Sequence, residues 1–264
     1  MQLVLIAVMA GVFYFVLIRP QQQKVKEHRD LVASLEVGDD FDLVVRTYLA
    51  GVEFAYIPEC LYVYRLQEGG SNTYLLRNAE IQRVQQELSN KYFYHLVEEW
   101  ARRERLPKAD FGGATGCPAG YAPIDLQNGH DVFEWMQALE DSSVGVIRAH
   151  DFLEHIPSGR VVELMNEIHR VLVPGGWLLS STPSTDGRGA FQDPTHVTFW
   201  NQNSFWYYTR RQQAQYVPAI AARFQATRVW TDFPNDWCKQ HNIAYVHADL
   251  CALKGQRQPG ICEI

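Results

Sequence analysis

The chain has 264 residues, of which 47% are hydrophobic and 20% charged, a balance typical of a globular protein and unlike that of a disordered one. Its formal net charge of −6 argues against a general nucleic-acid binder, which needs a basic face to neutralise phosphates. Its five cysteines show no Cys-x-x-Cys or Cys/His ligand spacing, so neither a disulfide framework nor a zinc motif is indicated.

The chain opens with an apolar run at residues 1–18, which contains no charged side chain. As a helix it would be about 27 Å long, close to the roughly 30 Å of a membrane's hydrocarbon core. Arg19, Lys24 and further basic residues follow, which places them on the cytoplasmic side. A cleaved signal peptide is the alternative, but no basic residue precedes the run and no small-x-small site ends it. We therefore expect a single-pass anchor in the inner (cytoplasmic) membrane, with the rest of the chain in the cytoplasm.

The sequence that follows, IRPQQQKVKEHRDLVASLEVGD, resembles the small accessory subunit of the bacterial Sec preprotein translocase (YajC-type). The shared pattern is a membrane helix, Arg-Pro-Gln-Gln, a basic helix and a Leu-x-x-Gly-Asp turn. The β-rich domain that follows in that family is missing after Asp39. The resemblance therefore implies an anchor and basic helix at residues 1–38, without implying a role in secretion.

Residues 39–105 form the second predicted region. The stretch DDFDLVVRTYLAGVEFAYIPECLYVYRLQEGGSN, within residues 39–86, resembles the end of the catalytic domain of family-2-type glycosyltransferases. In that family the second acidic residue, here Asp40, is the base that deprotonates the acceptor hydroxyl. The nucleotide-sugar half of such enzymes is absent, which favours a relic or one half of a split site. From Ala79 to Arg105 apolar residues recur at helical spacing and predict a linking helix that ends before Pro107.

From Lys108 the pattern becomes strand, glycine turn, strand, helix, strand, which is typical of an α/β sheet with flanking helices. KADFGGATG ends a strand in a turn whose glycines let the backbone approach a ligand. Ile124-Asp125-Leu126 ends a second strand on a carboxylate suited to ribose hydroxyls, at a spacing too short for a dinucleotide fingerprint. A buried strand then ends at Asp151, and Ser158 is placed to cap a helix running to about Leu172. Strands are also predicted at 177–182, 226–231 and 245–253.

The stretches SVGVIRAHDFLEHIP and EIHRVLVPGGWLLSSTPS resemble class I S-adenosylmethionine-dependent methyltransferases. DFGGATG matches their Asp-x-Gly-x-Gly-x-Gly motif, with Ala114 in place of the middle glycine. The resemblance covers residues 106–264 and implies a Rossmann-like α/β domain that binds S-adenosylmethionine. The implied cofactor-binding residues are Asp110, Gly112, Gly113, Gly116, Asp125, Asp131 and Val132. The glycines would line the methionine and ribose, Asp125 would bind the ribose hydroxyls, and the last two would contact the adenine.

The candidate catalytic residues are Asp151, His155 and His196. Methyl transfer is an in-line displacement from a sulfonium that depends on positioning, and an oxygen acceptor would also need a base. Asp151 should face the crevice at the carboxyl ends of the strands, and histidine is the side chain most often used as a general base. Packing against neighbouring elements is the structural alternative for the histidines. Asp193 is a further candidate, but an Asp-x-x-His pair alone does not make a metal site, so no metal is predicted.

The stretch DPTHVTFWNQNSFWYYT is a polar and aromatic loop after the strand predicted at 177–182, where α/β enzymes carry substrate contacts. Its aromatic residues form either an acceptor pocket or a hydrophobic cap over the sheet, and both interpretations stay open. They are Phe199, Trp200, Phe205, Trp206 and Tyr207.

The leading interpretation is a membrane-tethered methyltransferase that acts on a small-molecule or glycan acceptor. The glycan is suggested only by the glycosyltransferase-like segment. One alternative is an accessory module that completes a glycosyltransferase on another chain. The other is a membrane or translocase interaction protein without catalysis. Cofactor binding separates the enzyme from both alternatives.

Overall fold

A computed structural model of the chain describes residues 39–54 and 78–255. The chain divides into two compact units, Met1–Leu96 and Val97–Ile264. The predicted membrane helix at 1–18 and the glycosyltransferase-like residues 55–77 lie outside the described residues. Within the described ranges, no helix combines the length and the apolar character that a membrane span requires.

The first unit contains helix α1 (Asp39–Leu49) and the beginning of helix α2 (Asn78–Arg103). Asp42 on α1 accepts a hydrogen bond from the Tyr92 hydroxyl at 2.6 Å and pairs with Arg46 at 2.6 Å. The linking helix predicted over residues 79–105 is confirmed as α2, which ends two residues earlier than expected.

The second unit is built on a six-stranded sheet with the strand order β2-β1-β3-β4-β6-β5. β1 pairs in parallel with β2 and β3, and β3 with β4, whereas β6 runs antiparallel to both β4 and β5. The predicted α/β sheet is therefore confirmed, and an antiparallel strand adjoins its parallel part. The strands are β1 (Lys108–Phe111), β2 (Ala122–Ile124), β3 (Val144–His150), β4 (Leu172–Pro183), β5 (Phe224–Asp232) and β6 (Tyr245–Ala252).

Helices flank this sheet and complete its core. α4 buries Leu164, Met165, Ile168 and Val171, which recur at helical spacing and join the apolar cluster of the sheet. The expected cap at Ser158 is wrong, because a 3-10 turn over Ser158–Arg160 precedes the helix and delays its start. The helices are α3 (Val132–Gln137), α4 (Val161–Val171), α5 (Gly189–Gln192), α6 (Trp206–Thr209), α7 (Arg211–Ala214) and α8 (Asp236–Gln240).

The parallel strands all end at one edge of the sheet, which gathers four loops there. Gly112 follows β1, Asp125 follows β2, Asp151 follows β3 and Ser184 follows β4. Residues 112–121 join β1 to β2 through turns alone, in keeping with the short crossover expected from the sequence. Open α/β sheets bind ligands at this edge, so it holds the candidate site.

Candidate functional site

The glycine turn after β1 is packed against the loops that follow β2 and β3. The Gly112 N–H donates to the carbonyl oxygen of Ile124 at 3.0 Å. Gly112 and Gly116 have φ values of +77° and +80°, a region that glycine enters at little cost. A Cβ atom on Gly112 would lie 3.4 Å from the Phe152 side chain. A Cβ atom on Gly116 would meet nothing within 4 Å, so the turn is open at Gly116, whereas at Gly112 it packs against Phe152.

Asp110 supports this turn from beneath rather than lining its surface. Its carboxylate is buried and accepts two hydrogen bonds from Nη1 of Arg148, at 2.8 and 2.9 Å. A Cβ atom on Gly113 would lie only 2.5 Å from Asp110 Oδ2. The structure thus assigns Asp110 a supporting ion pair, and its predicted direct contact with the cofactor stays a prediction. Sequence reasoning missed Arg148, because only the pairing of β1 with β3 brings the two side chains together.

Asp125 lies at the end of β2, with an apolar neighbour beside it. Its Oδ1 accepts the N–H of Gln127 at 2.7 Å and so caps the 3-10 helix Leu126–Asn128. The Leu126 side chain is 75% exposed. An exposed apolar side chain next to a carboxylate offers a surface for a base beside a ribose, a feature that the sequence analysis did not single out.

Asp131 and Val132 begin α3, and the structure gives both a structural role. Oδ1 of Asp131 accepts the N–H groups of Phe133 at 2.8 Å and Glu134 at 3.1 Å, which makes it the helix N-cap. The Val132 side chain is 6% exposed and belongs to the core. Any adenine contact of Val132 must therefore come from its backbone, because its side chain faces the core.

Asp151 follows β3 in an uncommon conformation. Its φ is +47°, the left-handed region that non-glycine residues seldom adopt, and its N–H donates to Ser181 at 2.9 Å. The side chain is exposed at the carboxyl edge. Tyr245 begins β6 opposite Pro183, and burial together with the neighbouring Asp151 carboxylate raises the pKa of Tyr245. Sequence reasoning missed this tyrosine because its strand comes from the far end of the chain.

The two candidate histidines lie together. The rings of His155 and His196 meet edge to face with centroids 5.1 Å apart. Glu154 adjoins them, and one ligand-capable atom from each of the three residues lies within 4.8 Å of the others. Backbone N–H groups of Val197 and Thr198 donate to the Glu154 carbonyl at 2.8 and 3.0 Å, which fixes the loop that carries His196. In the sequence, the position of Glu154 directly before the candidate His155 was the signal that could have indicated it.

Asp193 lies close to the histidines but orders its own turn. Its Oδ1 accepts from the N–H of Thr195 at 2.8 Å and from the Thr195 hydroxyl at 2.7 Å. These hydrogen bonds lower the pKa of Asp193. Asp193 and His196, considered in the sequence as two potential metal ligands, therefore have different partners. The Asp193 carboxylate accepts hydrogen bonds from Thr195.

The aromatic residues of the loop after β4 divide between the two expected roles. Trp200 and Phe205 are buried in the core, as a hydrophobic cap would be. Phe199 and Tyr207 are exposed and help to line a groove with a volume of about 460 Å³. Trp206 is partly exposed and packs its ring against the Arg210 guanidinium at 4.0 Å. Only part of the predicted set is therefore available to an acceptor.

Residues 124–180 match the family model described as a methyltransferase domain. The matched segment runs from the end of β2 into β4 and contains Asp125, Asp151 and the Glu154–His155 pair. The predicted enzyme class, a methyltransferase, is confirmed by this match, whereas S-adenosylmethionine is the cofactor that the class I resemblance implies.

Solved methyltransferase structures resemble the chain loosely. An S-adenosylmethionine-dependent methyltransferase from Archaeoglobus fulgidus is 12% identical with a TM-score of 0.38, over 61% of this chain and 97% of that one. The 1,6-didemethyltoxoflavin-N1-methyltransferase of Burkholderia thailandensis, with bound S-adenosylhomocysteine, is 11% identical with a TM-score of 0.37, over 75% of this chain and 99% of that one. These scores are too low to support an inference, so the assignment rests on the family match.

The N-terminal segment matches a different family. Residues 3–42 match the model of a preprotein translocase subunit. The Sec translocon accessory complex subunit YajC of Escherichia coli K12 is 46% identical over 41 residues, which is 15% of this chain. The chain spans 37% of the length of that relative. The resemblance predicted for the N-terminus is therefore confirmed, whereas no comparison supports the glycosyltransferase resemblance of residues 39–86.

Proposed function

We propose that this chain transfers the methyl group of S-adenosylmethionine to an oxygen atom of a small-molecule or glycan acceptor, at the carboxyl edge of the sheet. The observation that carries the proposal is the methyltransferase-domain match over residues 124–180, because it includes the loops after β2 and β3 at this edge. Loops at the carboxyl edge are where open α/β sheets hold their ligands.

In this proposal the first two loops hold the cofactor. Gly112, Gly113 and Gly116 line its methionine and ribose, because the backbone of a glycine turn can approach a ligand closely. Asp125 accepts hydrogen bonds from the ribose hydroxyls, while its Oδ1 keeps the contact with Gln127. Leu126 supplies an apolar surface for the adenine.

The histidine pair handles the acceptor. A lone pair of the acceptor oxygen attacks the methyl carbon, and the electrons of the breaking carbon–sulfur bond return to sulfur, leaving S-adenosylhomocysteine. The acceptor loses its hydroxyl proton in the same reaction. His155 and His196 lie at this edge with touching rings, and Asp151 is exposed beside the same loop, so we assign the proton's removal to this group.

The N-terminal segment tethers the enzyme to the membrane. The translocase-subunit match over residues 3–42 includes the apolar run at 1–18, and the basic residues after it favour a cytoplasmic catalytic domain. An acceptor at the membrane surface suits this arrangement. The glycan alternative depends on the glycosyltransferase-like segment, whose acidic pair, Asp39 and Asp40, begins helix α1.

Calorimetric titration of S-adenosylmethionine into the full-length chain tests the cofactor site. Asp125→Ala should weaken binding at least tenfold, since a hydrogen bond to a charged group contributes about 1.5–3 kcal/mol. Its effect on stability should be small, about 1 kcal/mol, because only a cap is lost. Asp236→Ala, at an exposed aspartate of α8, is the matched control and should bind as the parent does.

Two results would contradict the proposal. Equal affinity of Asp125→Ala and the parent chain would show that the ribose is held elsewhere. A folded chain that does not bind S-adenosylmethionine would overturn the proposed reaction and leave the translocase-like N-terminus as the basis of function.

A further inference from the structure

Glu154, His155 and His196 bring three potential metal ligands to one point at the carboxyl edge. Ligand-capable atoms of the three lie within 4.8 Å of one another. Two imidazoles and one carboxylate are a ligand set that proteins use for zinc and for ferrous iron. We propose that these three side chains bind one divalent transition-metal ion.

The hydrogen bonds of His155 present its second nitrogen to the site. Nδ1 lies 3.3 Å from the carbonyl oxygen of Thr195 and 3.3 Å from its hydroxyl oxygen. A carbonyl only accepts, and the Thr195 hydroxyl already donates to Asp193 at 2.7 Å. The proton of the neutral ring therefore lies on Nδ1, and Nε2 carries the lone pair that a metal needs.

His196 is held in the same way by a different segment. Its Nδ1 lies 3.2 Å from the carbonyl oxygen of Ala190, so Nδ1 is again the donor and Nε2 the free base. Metal-binding histidines characteristically donate their other ring N–H to a carbonyl or carboxylate, which fixes the tautomer and the ring orientation. Both histidines of the cluster meet this condition independently.

Glu154 supplies an independent indication that something binds here. Its side chain is almost fully buried, and Oε2 accepts a hydrogen bond from the Thr182 hydroxyl. Oε1 is buried without a hydrogen-bond partner among the described residues. A buried carboxylate oxygen left unsatisfied is costly, and a bound cation beside it would remove that cost.

The geometry requires only a small adjustment to bind the ion. With bonds of about 2.1 Å in a tetrahedral arrangement, ligand atoms lie about 3.4 Å apart. The atoms here are separated by at most 4.8 Å, a difference that small rotations of the exposed His155 ring can supply. Three protein ligands also leave a coordination position open, as catalytic metal sites do.

The role of the ion rests on the proposed methyl transfer, although the binding site does not. An acceptor hydroxyl at the open position would have its pKa lowered by the metal, and its proton would leave to solvent. With the ion bound, His155 and His196 act as ligands, and this role replaces the proton removal that is proposed for them in the absence of a metal. The metal was not predicted from the sequence, because its ligands come from the turn after β3 and the loop after β4.

Titration of the metal-free full-length chain with Co²⁺ tests the site, followed by visible absorption and by the metal content after gel filtration. We expect one ion per chain and an absorption band typical of nitrogen and oxygen ligands. Glu154→Gln, His155→Gln and His196→Gln should each weaken binding at least tenfold. His241→Gln removes an exposed histidine that directly follows α8 and is the matched control, with unchanged binding expected. Circular dichroism verifies that each variant is folded.

The outcome separates the metal site from the methyl transfer. Absence of Co²⁺ binding, or equal binding by the three variants and the control, would overturn the metal site even if S-adenosylmethionine still binds. Binding of Co²⁺ that depends on the three residues would support the site even in a chain that does not bind S-adenosylmethionine, in which case only the proposed reaction fails.

Discussion

Substitution of Gly113 by alanine tests whether the Asp110–Arg148 ion pair holds the cofactor turn. The new Cβ would lie 2.5 Å from Asp110 Oδ2, whereas an ordinary contact begins at about 3.4 Å, so the carboxylate must move by about 0.9 Å. A shift of this size would distort the 2.8 and 2.9 Å hydrogen bonds that the carboxylate accepts from Arg148.

The expected cost is about 2–3 kcal/mol of the free energy of unfolding. Each hydrogen bond to a charged group contributes about 1.5–3 kcal/mol, and the sum is reduced because Arg148 is 27% exposed and can follow the carboxylate. For a domain of this size the midpoint of thermal unfolding should fall by roughly 5–10 °C. Affinity for S-adenosylmethionine should fall at least tenfold, because the turn moves with Asp110.

Thermal unfolding and calorimetric titration measure both effects. Gly159→Ala is the matched control, since its Cβ would meet nothing within 4 Å, and it should change stability by less than about 0.5 kcal/mol. If Gly113→Ala were as stable as Gly159→Ala and bound the cofactor as tightly, the ion pair would not be what supports the turn.

Two further predictions concern buried charges elsewhere in the sheet. Arg228→Met should lower the free energy of unfolding, measured in urea, by about 3–5 kcal/mol, because the buried Asp249 loses its guanidinium partner at 2.6 Å. Adding Asp249→Leu should restore much of the lost stability. Full stability of the Arg228→Met variant would refute this prediction. Burial, then Arg148 and His247, lower the pKa of His150 to about 4 from an ordinary 6.5. As the pH falls, the unfolded chain therefore binds a proton at His150 before the folded chain does. The free energy of unfolding should decline by up to about 3 kcal/mol between about pH 6.5 and about pH 4. Urea unfolding at both pH values should show a smaller decline in His150→Asn, and an equal decline would contradict the assignment.

The order of strands and helices could be predicted because it depends on local patterns. Apolar runs indicated the strands of the sheet, and the helix expected to run to about Leu172 is present as α4, which ends at Val171. The start of α4 was predicted wrongly at Ser158, because a single 3-10 turn changes where a helix begins without changing the apolar pattern.

The residues of the site were predictable only in part, for a physical reason. The positions of Gly112 and Asp125, in the turn after β1 and at the end of β2, could be predicted because a turn and a strand end carry their signals in adjacent residues; their contacts with a cofactor stay predictions. The partners of those residues come from distant segments: Arg148 is 38 residues from Asp110, and Thr195 is 40 residues from His155. No local pattern specifies such pairs.

The sequence by itself thus determined the class of fold, the position of the glycine turn after β1 and the translocase-like N-terminus, since each depends on contiguous residues. The tertiary structure decided which side chains meet. It buried Val132 in the core, engaged Asp110 with Arg148, and joined Glu154 and His155 to His196. These outcomes depend on strand order and on the loop after β4, where hydrogen bonds from Val197 and Thr198 to Glu154 bring the distant histidine to its partners.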